Sequence, residues 1–276
     1  MHSVNAAGSA FEVEPIFKHY RRLRPVYAID LPGFGKSDRS NRSYSFRVMT
    51  DAVLAALGEI RRRHKEPADA IALSLSCEFL ARAAIESSEL LRTLGLISPT
   101  GFEGKARDDE GGTRGQKWLH RTLNFPLWSS GLFNSLTTKV VIRKFLQKTW
   151  GSKNIDEPLL EYDYHTTHQT GAEHAPYYFV SGFLFSRDIL NVYQALEHPN
   201  WMVHGTRGNF VDYHHASRVK GRTNWTFDIF DTGAFPHFKD LVSLAVSYES
   251  FLSKPIFGRP NGLPCQKGDR DAGVKR

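Results

Sequence analysis

Two short apolar runs, AIALSL (70–75) and LRTLGLIS (91–98), flank a helix-like stretch, EFLARAAIESS (78–88), and this spacing constrains the fold more than any other feature. Runs that are apolar throughout suit strands buried on both faces, and strands joined through a helix pair in parallel. The alternation starts earlier, where RPVYAID (24–30) predicts a strand, LPGFGKSD (31–38) a Pro/Gly turn and SFRVMTDAVLAALGEIRRR (45–63) an amphipathic helix. It resumes late, with WMVHG (201–205) and WTFDIF (225–230) as strands and FKDLVSLAVSYESFL (238–252) as a helix. The expected class is α/β, a mostly parallel central sheet flanked by helices.

Between these blocks the chain changes character. WLHRTLNFPLWSSGLF (118–133) and LTTKVVIRKFLQKTW (136–150) are rich in aromatics and helix formers, so residues 101–195 are expected to form an inserted helical cap. The core would then consist of residues 1–100 and 196–255, followed by a basic, disordered tail over 256–276. Within the cap, Trp118, Phe125, Trp128 and Phe133 are expected to pack its core, with Trp118, Phe125 and Trp128 also lining a substrate pocket.

Several function classes fall away on composition. The formal net charge of +7 raises nucleic-acid binding, but the densest runs, HYRRLR (19–24), IRRRHK (60–65) and the tail, fall at helix ends or in coil, where solvation and the helix dipole account for them. No nucleic-acid partner is expected. Cys77 and Cys265 form no CxxC or Cys/His pattern, and His165, His168 and His174 lack an acidic partner, so neither a disulfide framework nor a metal is expected. Gly33, Gly35 and Lys36 lack phosphate-loop spacing. No run approaches the ~20 apolar residues of a membrane span, and the start lacks a signal-peptide pattern. A cytoplasmic protein with no membrane partner and no cofactor is expected; the oligomeric state is left open.

The succession HSVNAA (2–7), DLPGFGKSD (30–38), LSLSCEF (73–79), HGTRGNFVD (204–212) and DTGAFPHF (231–238), in that order, resembles the α/β-hydrolase fold superfamily, especially capped members similar to haloalkane dehalogenases, epoxide hydrolases and C–C bond hydrolases. The resemblance covers residues 2 to about 252. It implies that strands normally preceding the loop at His2 are absent from this sequence, leaving a sheet edge open.

The same resemblance implies a serine hydrolase. Ser76, at the join of strand and helix, reads either as a helix cap or as the nucleophile of a G-x-S-x-G elbow. In that register the flanking small positions are Ser74 and Glu78, and Glu78 is too large. A serine hydroxyl needs a base, which the family draws from the loop after the last strand; His237 is the only histidine there, while Ala234 holds the commoner position. The orienting acid would be Asp212 or, by spacing from Gly205, Asn209. The amides of Val4 and Cys77 would form the oxyanion hole. The expected activity is hydrolysis of an ester or other acyl bond of a small to medium apolar substrate. The alternative, raised by Glu78, Ala234 and Asn209, is a non-catalytic binding module on the same fold.

Overall fold

The structure, a computed structural model, describes residues 1–103 and 111–254; the predicted tail lies outside the described residues. A 3-10 turn (Ala10–Val13) leads into α1 (Glu14–Tyr20), and α2 (Phe46–His64) follows. Ser45 caps α2 by accepting the Val48 N–H, and the run Arg61, Arg62, Arg63 and His64 occupies its last turn, where cations complement the helix dipole. Strand β1 (Ala68–Leu73) runs into α3 (Ser76–Glu86), and β2 (Leu91–Ile97) follows. Six helices then precede the next strand: α4 (Lys117–Leu123), α5 (Ser129–Leu136), α6 (Lys139–Trp150), α7 (Glu157–Thr167), α8 (His174–Val180) and α9 (Ile189–Ala195). The chain closes with β3 (Asn200–Gly205), β4 (Trp225–Phe230), α10 (Pro236–Lys239) and α11 (Leu241–Leu252).

The four strands form one parallel sheet in the order β1-β2-β3-β4, with Leu73 opposite Ile97, Ile97 opposite Val203 and Val203 opposite Asp228. Alternate residues feed two cores. Ala72, Leu94, Leu96 and Met202 pack with α2, α3 and α9 on one face; Leu73, Ile97, Trp201 and Val203 pack with α1 and α11 on the other. Burial on both faces is what the uninterrupted apolar runs anticipate.

One predicted strand is not formed. Residues 24–30 run without regular structure, since among the described residues no strand pairs with them. Among the described residues only Met1 occupies the outer edge of β1, its amino group donating to Ile71 O (2.7 Å) and its carbonyl accepting the Leu73 N–H (3.2 Å). A groove of about 330 Å3, lined by Val26, Ile29, Leu57, Ala70 and Ile71 among others, separates the predicted strand from β1.

Residues 111–195 pack over the carboxyl ends of the strands. Ala175 lies against Gly33, Trp150 meets Phe235 edge to face, Tyr193 stacks on Phe102, and the Thr149 carbonyl accepts the Ala234 N–H (2.8 Å).

Candidate functional site

The chain turns sharply between β1 and α3, and the residue at the turn is Ser74. Its φ of 52° lies in the left-handed region, a conformation unfavourable for a residue with a side chain and concentrated at functional turns. Its amide donates to Ile97 O (2.9 Å), and its side chain is half-buried at the sheet's carboxyl edge. Ser76 stands elsewhere than expected. It lies in the first turn of α3, fully buried, with its hydroxyl donating to His2 O (2.6 Å). The Cys77 amide is also committed, donating to Ser74 O (3.1 Å), so it is not available to an oxyanion. The Cys77 thiol is buried against Ala72 O, and burial raises its pKa. By contrast, the amides of Val4 and Leu75 donate to no acceptor among the described residues.

Glu78 does not obstruct the turn. Its carboxyl points toward the inserted helices, accepting Thr100 Oγ1 (2.6 Å) and the amide and hydroxyl of Ser186 (3.3 Å each). Burial raises its pKa to about 7. The positions two before and two after Ser74 are Ala72 and Ser76, both small, as a tight turn requires.

The loop HSVNAA is pinned from both ends. His2 Nε2 accepts the Leu31 N–H (2.9 Å), which leaves Nδ1 to donate to Ser3 O (2.5 Å), and burial lowers this ring's pKa to about 4. Glu12 holds the other end by accepting Ser3 N–H (2.6 Å), Ser3 Oγ (3.0 Å) and Asn5 Nδ2 (2.8 Å). Burial still outweighs these bonds and raises the Glu12 pKa to about 7. Asp163 on α7 is buried too; its pKa is raised by burial and then by the Glu12 charge, and its Oδ1 has no partner among the described residues. Sequence reasoning missed Glu12 and Asp163, because an acidic residue in AFEV or LLEYDYH looks the same whether it faces solvent or a core.

His237 sits in α10, buried, with Nε2 donating to the Glu12 carbonyl (2.7 Å) and Nδ1 without a partner. Burial lowers its pKa to about 4, so the neutral ring carries its proton on Nε2 and a lone pair on Nδ1. Ser98 Oγ donates to Ala234 O (2.8 Å), tying the loop before α10 to the end of β2 beside Ser74. The expected acids do not join. Asn209 and Asp212 are both exposed, Asp212 accepting the His214 N–H (3.2 Å), and neither is hydrogen-bonded to His237.

The expected aromatic pocket is not formed as such. Trp118 and Trp128 are exposed and Phe125 lines a surface groove, whereas Phe133 alone of the four is buried, against Tyr177. Phe125 and Trp128 lie in the turn between α4 and α5, not on a helix face, and Trp118 lies in the first turn of α4. Among the described residues no group of three or more His, Cys, Asp or Glu is arranged to hold a metal.

No family model matches the sequence, and no curated protein sequence matches it. Solved structures do match. A 2-hydroxy-6-oxo-6-phenylhexa-2,4-dienoate hydrolase from a Rhodococcus species superposes with a TM-score of 0.70 at 14% identity, over 92% of this chain and 89% of that one. This chain has the α/β-hydrolase fold. A meta-cleavage product hydrolase from Pseudomonas fluorescens (TM-score 0.67, 14% identity, 91% and 87% covered) and an esterase from Exiguobacterium antarcticum (0.66, 11%, 91% and 90%) give the same result. In this chain the turn from β1 into α3 has Ser74 at its apex.

Proposed function

We propose that the protein is a hydrolase of a small-molecule ester or other acyl bond, with Ser74 in place of Ser76 as nucleophile. The observation that carries this reading is the positive φ of Ser74 at the strand-to-helix turn, beside the unpaired Val4 and Leu75 amides. Strain of this kind persists only where the surroundings enforce it, and it presents a side chain at the top of the sheet. Leu75 replaces Cys77 as the second oxyanion donor, since the Cys77 amide is already engaged.

The chemistry runs as follows. Ser74 Oγ bonds to the carbonyl carbon while its proton passes to His237 Nδ1, and the carbonyl oxygen takes up the negative charge between the two amides. Collapse expels the alcohol, which takes the proton from His237, and a water repeats the sequence to release the acid and free Ser74. The Glu12 carbonyl, which accepts the Nε2 proton of His237, takes the orienting place that the family assigns to a carboxylate. A carbonyl orients the ring but offsets the imidazolium charge less than an anion does, so turnover is expected to be slow. The exposed positions of Asp212 and Asn209 favour the second reading, a binding module whose catalytic set is incomplete.

A fluorophosphonate probe separates these readings. Labelling at Ser74 that is lost in Ser74→Ala and kept in Ser76→Ala supports the hydrolase; His237→Ala should slow it by at least about 100-fold. Labelling at Ser76, or none in folded protein together with no ester hydrolysis, overturns it.

A further inference from the structure

The net charge of this protein is not spread over it. Residues 111–155 contain eight Lys and Arg and no Asp or Glu, against +7 for the whole chain, so the remainder sums to −1. Two of the eight, Lys139 and Arg143, are paired with Glu161 and Glu157 of α7. Lys117 and Arg121, one turn apart on α4, are exposed and form no ion pair among the described residues.

The same helices carry exposed apolar side chains in unusual density. Trp118 is 68% and Leu127 83% exposed, and Phe125 and Trp128 stand beside them with ring centroids 4.5 Å apart. Trp128 Nε1 donates to Thr122 O (2.9 Å) and Thr122 Oγ1 to Trp118 O (3.0 Å), which ties the α4–α5 turn back to α4. Next to them a groove of about 450 Å3 is walled by Lys117, Arg121, Phe125 and Tyr178.

We propose that this face of α4 and the α4–α5 turn is a peripheral docking surface for an anionic phospholipid bilayer, with Trp118, Phe125, Leu127 and Trp128 entering the headgroup layer and Lys117 and Arg121 facing lipid phosphates. Large aromatic and aliphatic side chains ringed by cations are the composition of interfacial anchors, the cations adding electrostatic attraction to the buried apolar area. A second copy of the chain fits less well, because a two-fold pairing of this face would oppose the same cations. Nucleic acid fits less well too, because Leu127 and Pro126 offer it neither hydrogen bonds nor stacking. The contact is peripheral and departs from the expectation of no membrane partner; no helix of the described residues is long and apolar enough to cross a bilayer.

Vesicle co-sedimentation of the full chain tests this. Phosphatidylcholine vesicles containing about 30 mol % phosphatidylserine should retain at least about tenfold more protein than phosphatidylcholine alone, and about 0.5 M salt should remove the difference. The pair Lys117→Glu/Arg121→Glu should lower anionic binding by at least about tenfold, and Trp118→Ser/Leu127→Ser should lower it comparably, with thermal melting unchanged in both. If the second pair melts early, the charge-reversed pair decides the matter alone, since it alters only exposed ends. Equal retention on neutral and anionic vesicles, undiminished binding by the charge-reversed pair, or duplex DNA bound in preference to anionic vesicles and lost in the same variants would overturn the proposal.

Discussion

The sheet and the inserted helices solve opposite problems with the same residue types. In the sheet, Trp201 is wholly enclosed, its ring against Tyr248 and Phe251 and its Nε1 donating to Asp228 (2.7 Å) and Ser247 (3.1 Å). In the insertion, Trp118 stands largely in solvent on a seven-residue helix. A tryptophan is thus a structural pin in one region and a surface feature in the other. Burial alone does not decide what a ring is for; the number of layers around it decides what its loss would cost.

The largest expected effect tests that contrast on the sheet side. Trp201→Ala should destabilise by about 3–5 kcal/mol, because it leaves a cavity between β3 and α11 and strips the Asp228 carboxylate of a donor. Chemical denaturation reads this directly, and a loss below about 1 kcal/mol would mean that the second core closes over the gap. Trp201→Phe, which keeps most of the bulk, should recover more than half of the loss.

How much of this was readable in the sequence depends on whether a residue is set by its neighbours along the chain or by neighbours across the fold. Strands β1 to β4 and helices α2, α3 and α11 follow from local periodicity, and they appear within a few residues of expectation. The predicted strand at 24–30 did not, because a strand exists only against a partner, and among the described residues none pairs with it. The site was legible as a place but not as a register. The pattern Ala72-Leu73-Ser74-Leu75-Ser76 satisfies the small-x-Ser-x-small rule better than the register centred on Ser76, and Glu78 was the warning. Glu12 and Asp163 carried no such signal. Their burial arises from packing of the 3-10 turn at residues 10–13 against α7, far apart in sequence.

Glu78 links the two regions, and it supplies the next effect in size. Its pKa is raised from 4.5 to about 7 in the folded protein, so the folded state binds a proton more tightly than the unfolded one. Below about pH 4.5 the group is protonated in both states and costs nothing. As pH rises from there to about 7 the unfolded chain gains the ionised form first, so stability falls, and the loss is complete above 7. Glu78→Gln removes this loss, on the order of 3 kcal/mol at pH 8, set against weaker bonds to Thr100 and Ser186. The expected result is a variant more stable than the parent at pH 8 and no more stable at pH 4.5. A stability difference independent of pH would show that Glu78 stays ionised, held by Arg114 across the boundary.

The smallest effects fall on the exposed tryptophans, and the two should differ from each other. Trp118 makes no side-chain hydrogen bond among the described residues and is mostly solvated, so Trp118→Ala should shift stability by no more than about 0.5 kcal/mol. Trp128 is less exposed, packs at a tilt against Phe125 and donates Nε1 to Thr122 O (2.9 Å) across the α4–α5 turn. Its removal frees the Thr122 carbonyl to water at little cost but breaks the ring contact with Phe125 within that turn, which places Trp128→Ala at about 1 kcal/mol. Measured by thermal melting, the two variants therefore rank Trp128 above Trp118. The reverse order would mean that Trp118 is covered by something other than the residues around it, and would turn the comparison between sheet and insertion into one between two enclosed rings.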